Sequence, residues 1–247
     1  MISQTVERMN PESKTAILYI HGILGTPMQF RELFPLAEGY SQCSLLLDGH
    51  GGDAKTFSRT SMKKWKAQVD AKVTELLQTH QYIILVAHSM GTLFAISESI
   101  RYAERVKGMF LLDVPLNIRV RPSLTVNCWK VFWNRVKPDD LRALAAQQAY
   151  GIGMDYKVWR YLGWIPRYLE LFREIHEVKG KVPEITVPCV AFQPKQDEMV
   201  GRSARTLLQE NPKIQVYEMP NSTHFYFAPE DSAHMLRSFS EFLETVG

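Results

Sequence analysis

The amino-acid sequence predicts an α/β fold with a mostly parallel, doubly wound sheet and a helical insertion. Short apolar runs alternate with helical patterns of roughly 10 to 20 residues along most of the chain. Four consecutive aliphatic residues, Ile83 to Val86, are typical of a strand covered on both faces, as in a parallel sheet. The alternation stops between about Leu116 and Pro183, where helical patterns alone continue.

Six segments are predicted to be strands, because apolar and β-branched residues dominate each of them. They are Ala16–Ile20, Cys43–Leu47, Tyr82–Val86, Val106–Leu112, Val187–Phe192 and Ile214–Met219. Helical or amphipathic patterns follow Pro27, Ser61, Ser89, Arg202 and Pro229. Strands that alternate with helices in this way form parallel sheets with right-handed crossovers.

The break in the alternation divides the chain into a core, residues 1–115 and 184–247, and a helical cap insertion, residues 116–183. An insertion of roughly 65 to 70 residues is longer than any ordinary connection. It contains four of the five tryptophans, and it has twelve Lys or Arg against six Asp or Glu. A solvated basic face is favoured over attraction to acidic lipid headgroups.

Composition excludes several classes of function and location. The formal charge of +3 is too small to indicate a nucleic-acid partner, and no nucleic-acid-binding motif is present. The three cysteines, Cys43, Cys128 and Cys189, have the spacing of neither a zinc site nor a disulfide framework. The first ten residues lack the apolar stretch of a secretory signal, and no run approaches the ~18 apolar residues of a membrane span. We therefore expect a cytoplasmic protein without stable membrane insertion.

A candidate nucleophile lies in the sequence IILVAHSMG, residues 83–91. Ser89 stands between a buried strand and a helical pattern, with the small residues Ala87 and Gly91 two positions before and after it. Small neighbours allow a tight strand-to-helix turn that pushes the hydroxyl clear of the sheet. Ser89 is therefore the predicted nucleophile, although a helix-capping serine has the same local pattern.

A serine hydroxyl needs a base, and His224 is the best placed of the seven histidines. It lies in the loop after the last strand, and catalytic groups of a doubly wound sheet gather at the carboxyl ends of strands. His21 also follows a strand, but the His21-Gly22 pair begins the loop that is expected to supply an oxyanion donor. His88 is expected to point away from Ser89.

The base in turn needs an anion that fixes its tautomer. Asp197 lies in the loop after the strand Val187–Phe192 and is favoured. Its neighbour Glu198 is a rival, and so is Asp113, which also ends a strand. The oxyanion of the reaction needs two donors. These are predicted to be the backbone N–H groups of Met90 and of Ile23, in the glycine-containing loop after the first strand.

Together these residues resemble the α/β-hydrolase superfamily and, more narrowly, its carboxylesterase and monoacylglycerol-lipase branch. The signatures are LYIHGILGTP (18–27), LLDGHGGD (46–53), AHSMG (87–91), and QPKQDEMV (193–200) with NSTHF (221–225). The order of nucleophile, acid and histidine is the family's order. The resemblance implies the α/β-hydrolase fold and assigns Ser89, Asp197 and His224 to the triad and Ile23 and Met90 to the oxyanion hole.

Three features depart from the family pattern. Ala87 stands where glycine is usual, and Gln193 replaces the glycine that often opens the acid loop. The chain before Ala16 is short, so one or both early antiparallel strands of the family's sheet are expected to be missing. None of these departures removes a reacting group.

The resemblance implies a serine hydrolase that cleaves a small-molecule carboxylic ester, with no metal and no organic cofactor. Insertions at this place in the family resemble lids over an acyl pocket, so the substrate is expected to carry an acyl chain, although the tryptophans also suit the core of a small cap. The same triad would serve a thioesterase, an amide or carbon–carbon bond hydrolase, or an acyltransferase. A non-catalytic binding protein with this fold is the alternative from another class.

Overall fold

The computed structural model describes residues 4–153 and 155–247, and within these ranges seven strands form one sheet. The strands are β1 (Val6–Arg8), β2 (Thr15–Ile20), β3 (Ser41–Leu45), β4 (Tyr82–His88), β5 (Val106–Leu112), β6 (Cys189–Pro194) and β7 (Ile214–Met219). All six predicted strands are present, with β3 and β6 displaced by about two residues from the predicted bounds.

The order of strands across the sheet is β1-β3-β2-β4-β5-β6-β7. The pairs from β3 to β7 are parallel, and β1 is antiparallel to β3, with Val6 opposite Ser44 and Arg8 opposite Gln42. One early antiparallel strand is therefore present among the described residues, which agrees with the expectation that one or both would be missing only if a single strand is absent. Three residues are enough to cover the edge of β3, which is why so short an amino-terminal segment supplies it.

Eight α-helices lie within the described ranges. They are α1 (Ala54–Ser58), α2 (Met62–Thr79), α3 (Met90–Arg101), α4 (Pro122–Phe132), α5 (Leu141–Ala149), α6 (Ile165–Lys181), α7 (Ser203–Gln209) and α8 (Pro229–Val246). The predicted cap of α2 is confirmed, because the Ser61 hydroxyl oxygen accepts from the backbone N–H of Lys64 at 3.2 Å.

The amphipathic segment after Pro27 is not one helix but two short 3₁₀ helices, Pro27–Phe30 and Phe34–Ala37. Pro35 explains the interruption, because a proline inside an α-helix removes a backbone donor and clashes with the preceding turn. Phe30 and Phe34 still pack against the sheet, as the pattern predicts.

The sheet is covered on both faces, and alternate residues of each strand serve the two cores. In β4, Ile83, Leu85 and Ala87 belong to the core beneath α2, α3 and α6. Ile84 and Val86 belong to the core beneath α8 and the two 3₁₀ helices. Burial on both faces explains why β4 is an uninterrupted apolar run. β4 is also the central strand of the seven, so the residue that follows it lies near the middle of the carboxyl-terminal edge of the sheet.

Between β5 and β6, the described residues form helices α4, α5 and α6 and two 3₁₀ helices, Val158–Trp164 and Val182–Glu184. The buried residues of α6, among them Leu171, Ile175 and Val178, join the core on the α3 side of the sheet. In the described ranges, every helix is too short or too polar to cross a lipid bilayer.

Candidate active site

The turn between β4 and α3 holds Ser89 in a strained conformation. Its φ is +50° and its ψ is −124°, values that a residue with a side chain rarely adopts. The Ser89 backbone N–H donates to the Leu112 carbonyl at 2.9 Å, which fixes the turn against β5. A Cβ on Gly91 would lie 2.1 Å from the Ile20 carbonyl oxygen, so the close approach of α3 to β2 requires glycine there.

Three side chains that are far apart in the sequence meet at this turn. The His224 Nε2 atom lies 2.9 Å from the Ser89 Oγ atom, and the His224 Nδ1 atom lies 2.7 Å from Asp197 Oδ2. All three residues are buried. The structure thus brings together the predicted nucleophile, base and acid in one hydrogen-bonded chain.

Asp197 is held in place by the backbone of its own loop. Its Oδ1 atom accepts from the N–H groups of Met199 at 2.6 Å and Val200 at 2.8 Å. Burial alone would raise the pKa of Asp197, but His224 and these donors lower it overall. Conversely, burial would lower the pKa of His224, and the charge and hydrogen bond of Asp197 raise it to about 9.

The two rival carboxylates make other contacts. Asp113 Oδ2 lies 2.9 Å from His88 Nε2, and Glu198 Oε2 accepts from the backbone N–H of His224 at 3.1 Å. Burial raises the pKa of Asp113 well above its ordinary value and lowers the pKa of His88 to about 3. Asp113 and Glu198 therefore lie close to His224, but the carboxylate that hydrogen bonds to the His224 ring is Asp197.

The loop that carries Ile23 runs alongside the serine. A Cβ on Gly22 would lie 2.9 Å from the Ser89 Cβ atom, and the Gly25 N–H closes a turn onto the Gly22 carbonyl at 3.0 Å. Met90 is the first residue of α3, so its N–H lies in the turn whose amides have no partner within the helix. The two predicted oxyanion donors therefore belong to segments that meet at Ser89.

His50 fixes this loop, a role that the sequence analysis missed. Its Nε2 atom accepts from the backbone N–H of Leu24 at 3.1 Å, and Leu24 has a φ of +60°. Its Nδ1–H group donates to the Leu47 carbonyl at 3.2 Å. Burial lowers the pKa of His50 to about 4, which keeps the ring neutral and able to accept. A histidine inside the glycine-rich loop after β3 was the available signal.

His21 has a comparable supporting role. Its Nε2 atom accepts from the Leu47 N–H at 3.1 Å, and its Nδ1–H group donates to the Gly22 carbonyl at 2.8 Å. Burial and the neighbouring His50 lower its pKa well below the ordinary value. The ring therefore ties the segment after β3 to the start of the loop beside Ser89.

The model of the α/β hydrolase family matches residues 17–235, which is most of the chain. The chain belongs to this family. A search of curated protein sequences finds no significant match.

Solved structures of other α/β hydrolases share its fold at low sequence identity. A structure from work on LipS and LipT, two metagenome-derived lipolytic enzymes, has a TM-score of 0.75, 16% identity and 98% coverage of both chains. The monoacylglycerol lipase of Paleococcus ferrophilus has a TM-score of 0.72, 18% identity and full coverage of both chains. A putative aryl esterase from Burkholderia cenocepacia has a TM-score of 0.63 and 19% identity, with 98% and 94% coverage. These likenesses confirm the predicted fold.

Two cavities of this α/β hydrolase lie near the triad. The apolar cavity, of about 490 Å³, is lined by Ile23 of the loop beside Ser89, by Phe225, which follows His224 in the chain, by Met199, and by side chains of α4 and α6. The second cavity, of about 510 Å³, is lined by His224 and His88 and by side chains of α5 and α8. Phe225 lies on the wall that the two cavities share.

One group of potential metal ligands occurs among the described residues of this α/β hydrolase. The ligand atoms of Asp113, Asp197 and His224 lie within 4.8 Å of one another. His224 Nδ1 and Asp197 Oδ2 are already hydrogen bonded to each other, and Asp197 Oδ1 accepts two backbone donors. A cation would have to break the chain that leads to Ser89, so this donor set fits a proton relay better than a metal.

Proposed function

We propose that this protein is a serine hydrolase that cleaves carboxylic esters through an acyl-enzyme on Ser89. The supporting observation is the chain of hydrogen bonds from Ser89 Oγ through His224 to Asp197, at 2.9 and 2.7 Å. Such a chain turns a weak nucleophile into a reactive one, because the imidazole takes the proton as the oxygen attacks.

In the proposed reaction, Ser89 Oγ attacks the ester carbonyl while His224 Nε2 accepts its proton. The N–H groups of Ile23 and Met90 stabilise the negative charge on the carbonyl oxygen, as preorganised donors do in acyl transfer. His224 then gives the proton to the leaving alcohol, and the acyl-enzyme remains. Water, deprotonated by the same imidazole, then attacks the acyl carbonyl, the bond to Ser89 Oγ breaks, and the imidazolium returns the proton to that oxygen as the acid leaves. Asp197 stabilises the imidazolium in both steps.

The apolar cavity is the proposed site of the acyl chain. Its volume is in the usual range for small-molecule sites, and its lining is almost entirely apolar and aromatic, including Phe132, Tyr150, Trp164 and Leu171. The cavity lies between the core and helices α4 and α6, so we propose that residues 116–183 act as a cap over it. An acyl chain bound there would bury its methylene groups at about 0.8 kcal/mol each.

The second cavity is the proposed site of the leaving group. Its wall includes His224, the residue that must protonate the departing oxygen, and it mixes apolar side chains with Gln29, Gln148 and Ser232. A leaving group therefore meets hydrogen-bonding side chains, whereas the acyl side meets hydrocarbon. This asymmetry favours an ester between an apolar acid and a more polar alcohol.

A fluorophosphonate probe tests the nucleophile directly. We expect covalent labelling of the unaltered protein, loss of labelling in Ser89→Ala and strong slowing in His224→Ala. Absence of labelling in the unaltered protein would favour the alternative of a non-catalytic binding protein. Labelling together with faster turnover of thioesters than of matched oxygen esters would instead favour a thioesterase.

The acyl cavity is tested with p-nitrophenyl esters from acetate to palmitate. We expect kcat/KM to rise with chain length and then to level off as the cavity fills. Leu124→Trp places an indole in the cavity and should depress long-chain hydrolysis more than acetate hydrolysis. Thr125→Trp, on the same helix but exposed, is the matched control. Equal rates at every chain length would remove the acyl-site proposal and leave the nucleophile untouched.

A further inference from the structure

We propose that helices α4 and α6 present a face that docks this protein on lipid membranes with anionic headgroups. The docking face consists of two exposed apolar stripes. One is formed by Val126 and Trp129 on α4 with Trp133 at the C-cap of that helix, and the other by Ile165, Leu169 and Phe172 on α6. The spacing of each stripe places its members on one side of a helix. Docking does not require hydrolysis, so this inference goes beyond the proposed function.

The exposure of these side chains is concentrated in one part of the molecule. Among the described residues, fourteen large apolar side chains are exposed, and twelve of them lie between Val120 and Phe172. Trp129 is 51% exposed and Trp133 is 52% exposed, so these tryptophans do not form the core of a small cap. A concentration of this kind marks an interaction surface rather than the scattered apolar residues of any protein surface.

Each stripe has a member that lines the apolar cavity. Trp129 of α4 and Phe172 of α6 are both exposed and both line the cavity. Phe132 lines it as well, and its ring lies 5.3 Å from that of Trp133 and 6.0 Å from that of Tyr156. An apolar molecule that left a membrane at this face would enter the cavity without crossing water.

The positive charge of residues 116–183 favours a partner with negative charge. Residues 116–183 contain twelve Lys or Arg and six Asp or Glu, whereas the rest of the chain contains seventeen and twenty. Five of the six acidic residues of the segment are in ion pairs, namely Asp140, Asp155, Glu170, Glu174 and Glu177. Exposed basic residues such as Lys137 and Lys157 therefore add uncompensated positive charge beside the stripes.

A lipid surface fits this combination better than a second copy of the chain. In a twofold dimer through this face the same positive charges would oppose each other. Tryptophan is enriched where hydrocarbon meets headgroups, and each basic residue near an anionic bilayer contributes about 1 kcal/mol. The Arg135 guanidinium, 5.2 Å from the Trp129 ring centre, combines both features at one position.

Flotation with phospholipid vesicles tests the inference on Ser89→Ala protein, which removes any effect of hydrolysis. We expect binding to vesicles of phosphatidylcholine with phosphatidylglycerol, weaker binding to phosphatidylcholine alone, and release by salt. Trp133→Ser with Leu169→Ser should weaken binding to both vesicles about tenfold or more. Lys137→Gln should weaken binding about fivefold on the anionic vesicles only.

Matched controls use exposed residues elsewhere. Leu36→Ser removes an exposed apolar side chain, and Lys14→Gln removes a charge before β2, at the opposite edge of the sheet from Ser89. Neither should change vesicle binding, and unchanged thermal unfolding midpoints would show that all variants fold. Absence of binding to either vesicle, or equal loss in the controls, would overturn the proposal. So would a dimer in sedimentation equilibrium that Trp133→Ser with Leu169→Ser dissolves.

Discussion

Asp197→Asn is the sharpest test of the relay, because the structure fixes how the new amide would sit. The two backbone donors at Asp197 Oδ1, from Met199 and Val200, would retain the amide oxygen. The amide NH₂ group would then face His224 Nδ1. An NH₂ group can only donate, so it cannot accept a hydrogen bond from an Nδ1–H group. The imidazole would have to carry its proton on Nε2, and in that tautomer it cannot accept the proton of Ser89.

The size of the loss has two parts. Without the carboxylate charge, the pKa of His224 falls from about 9 towards its ordinary 6.5, so the imidazolium loses about 3 kcal/mol of stabilisation, which corresponds to at most about 300-fold in rate. The wrong tautomer adds to this, as in the serine protease precedent, where the same exchange lowers kcat about 10⁴-fold. We therefore expect kcat/KM to fall between about 10²- and 10⁴-fold.

The assay is hydrolysis of a p-nitrophenyl ester of intermediate length as a function of pH. In the unaltered protein, kcat/KM should rise with pH until His224 is deprotonated, near its pKa of about 9. In Asp197→Asn this rise should move to lower pH while the plateau falls. Asp113→Asn is the control, because Asp113 hydrogen bonds to His88. A loss below tenfold for Asp197→Asn, or an equal loss for Asp113→Asn, would refute the assignment of the acid.

Three further predictions concern stability and are measured by urea unfolding. Gly91→Ala should lower the free energy of unfolding by about 3 kcal/mol or more, because its Cβ would meet the Ile20 carbonyl. Gly180→Ala should raise it by about 0.5–1 kcal/mol, because Gly180 lies in α6 with open space around it. Ser89→Gly should stabilise by about 1 kcal/mol by relieving the positive φ, and Ser89→Ala should not. Because the pKa of His50 is about 4 in the fold and about 6.5 unfolded, its contribution to the free energy of unfolding should fall by up to about 3 kcal/mol as pH drops from 6.5 to 4, so the total fall should be smaller in His50→Gln.

The sequence predicted best those features that depend on periodicity and order along the chain. The six parallel strands were visible because burial on both faces makes a strand such as β4 apolar throughout. The meeting of Ser89, Asp197 and His224 was predictable because each follows a strand, and parallel strands end at one edge of the sheet.

Features that depend on contacts between distant segments were not predictable. β1 is short and mostly exposed, so its residues carry no apolar signal and only the edge of β3 defines it as a strand. Trp129 and Trp133 are exposed, but their spacing in the sequence is equally typical of buried tryptophans. His50 was visible only as a member of a loop, because its partner, the Leu24 N–H, lies 26 positions away.

The histidines around the serine show why environment, rather than residue type, selects the base. The His21 and His50 rings lie 4.8 Å apart, the His88 and His224 rings 5.1 Å apart, and all four are buried. Burial lowers the pKa of the first three, so they remain neutral and support the backbone. Only His224 hydrogen bonds to a carboxylate whose own pKa is lowered, and its pKa alone is raised. In the proposed reaction, a proton taken from Ser89 would therefore be retained at His224 and not at its neighbours, which would confine the chemistry to one ring.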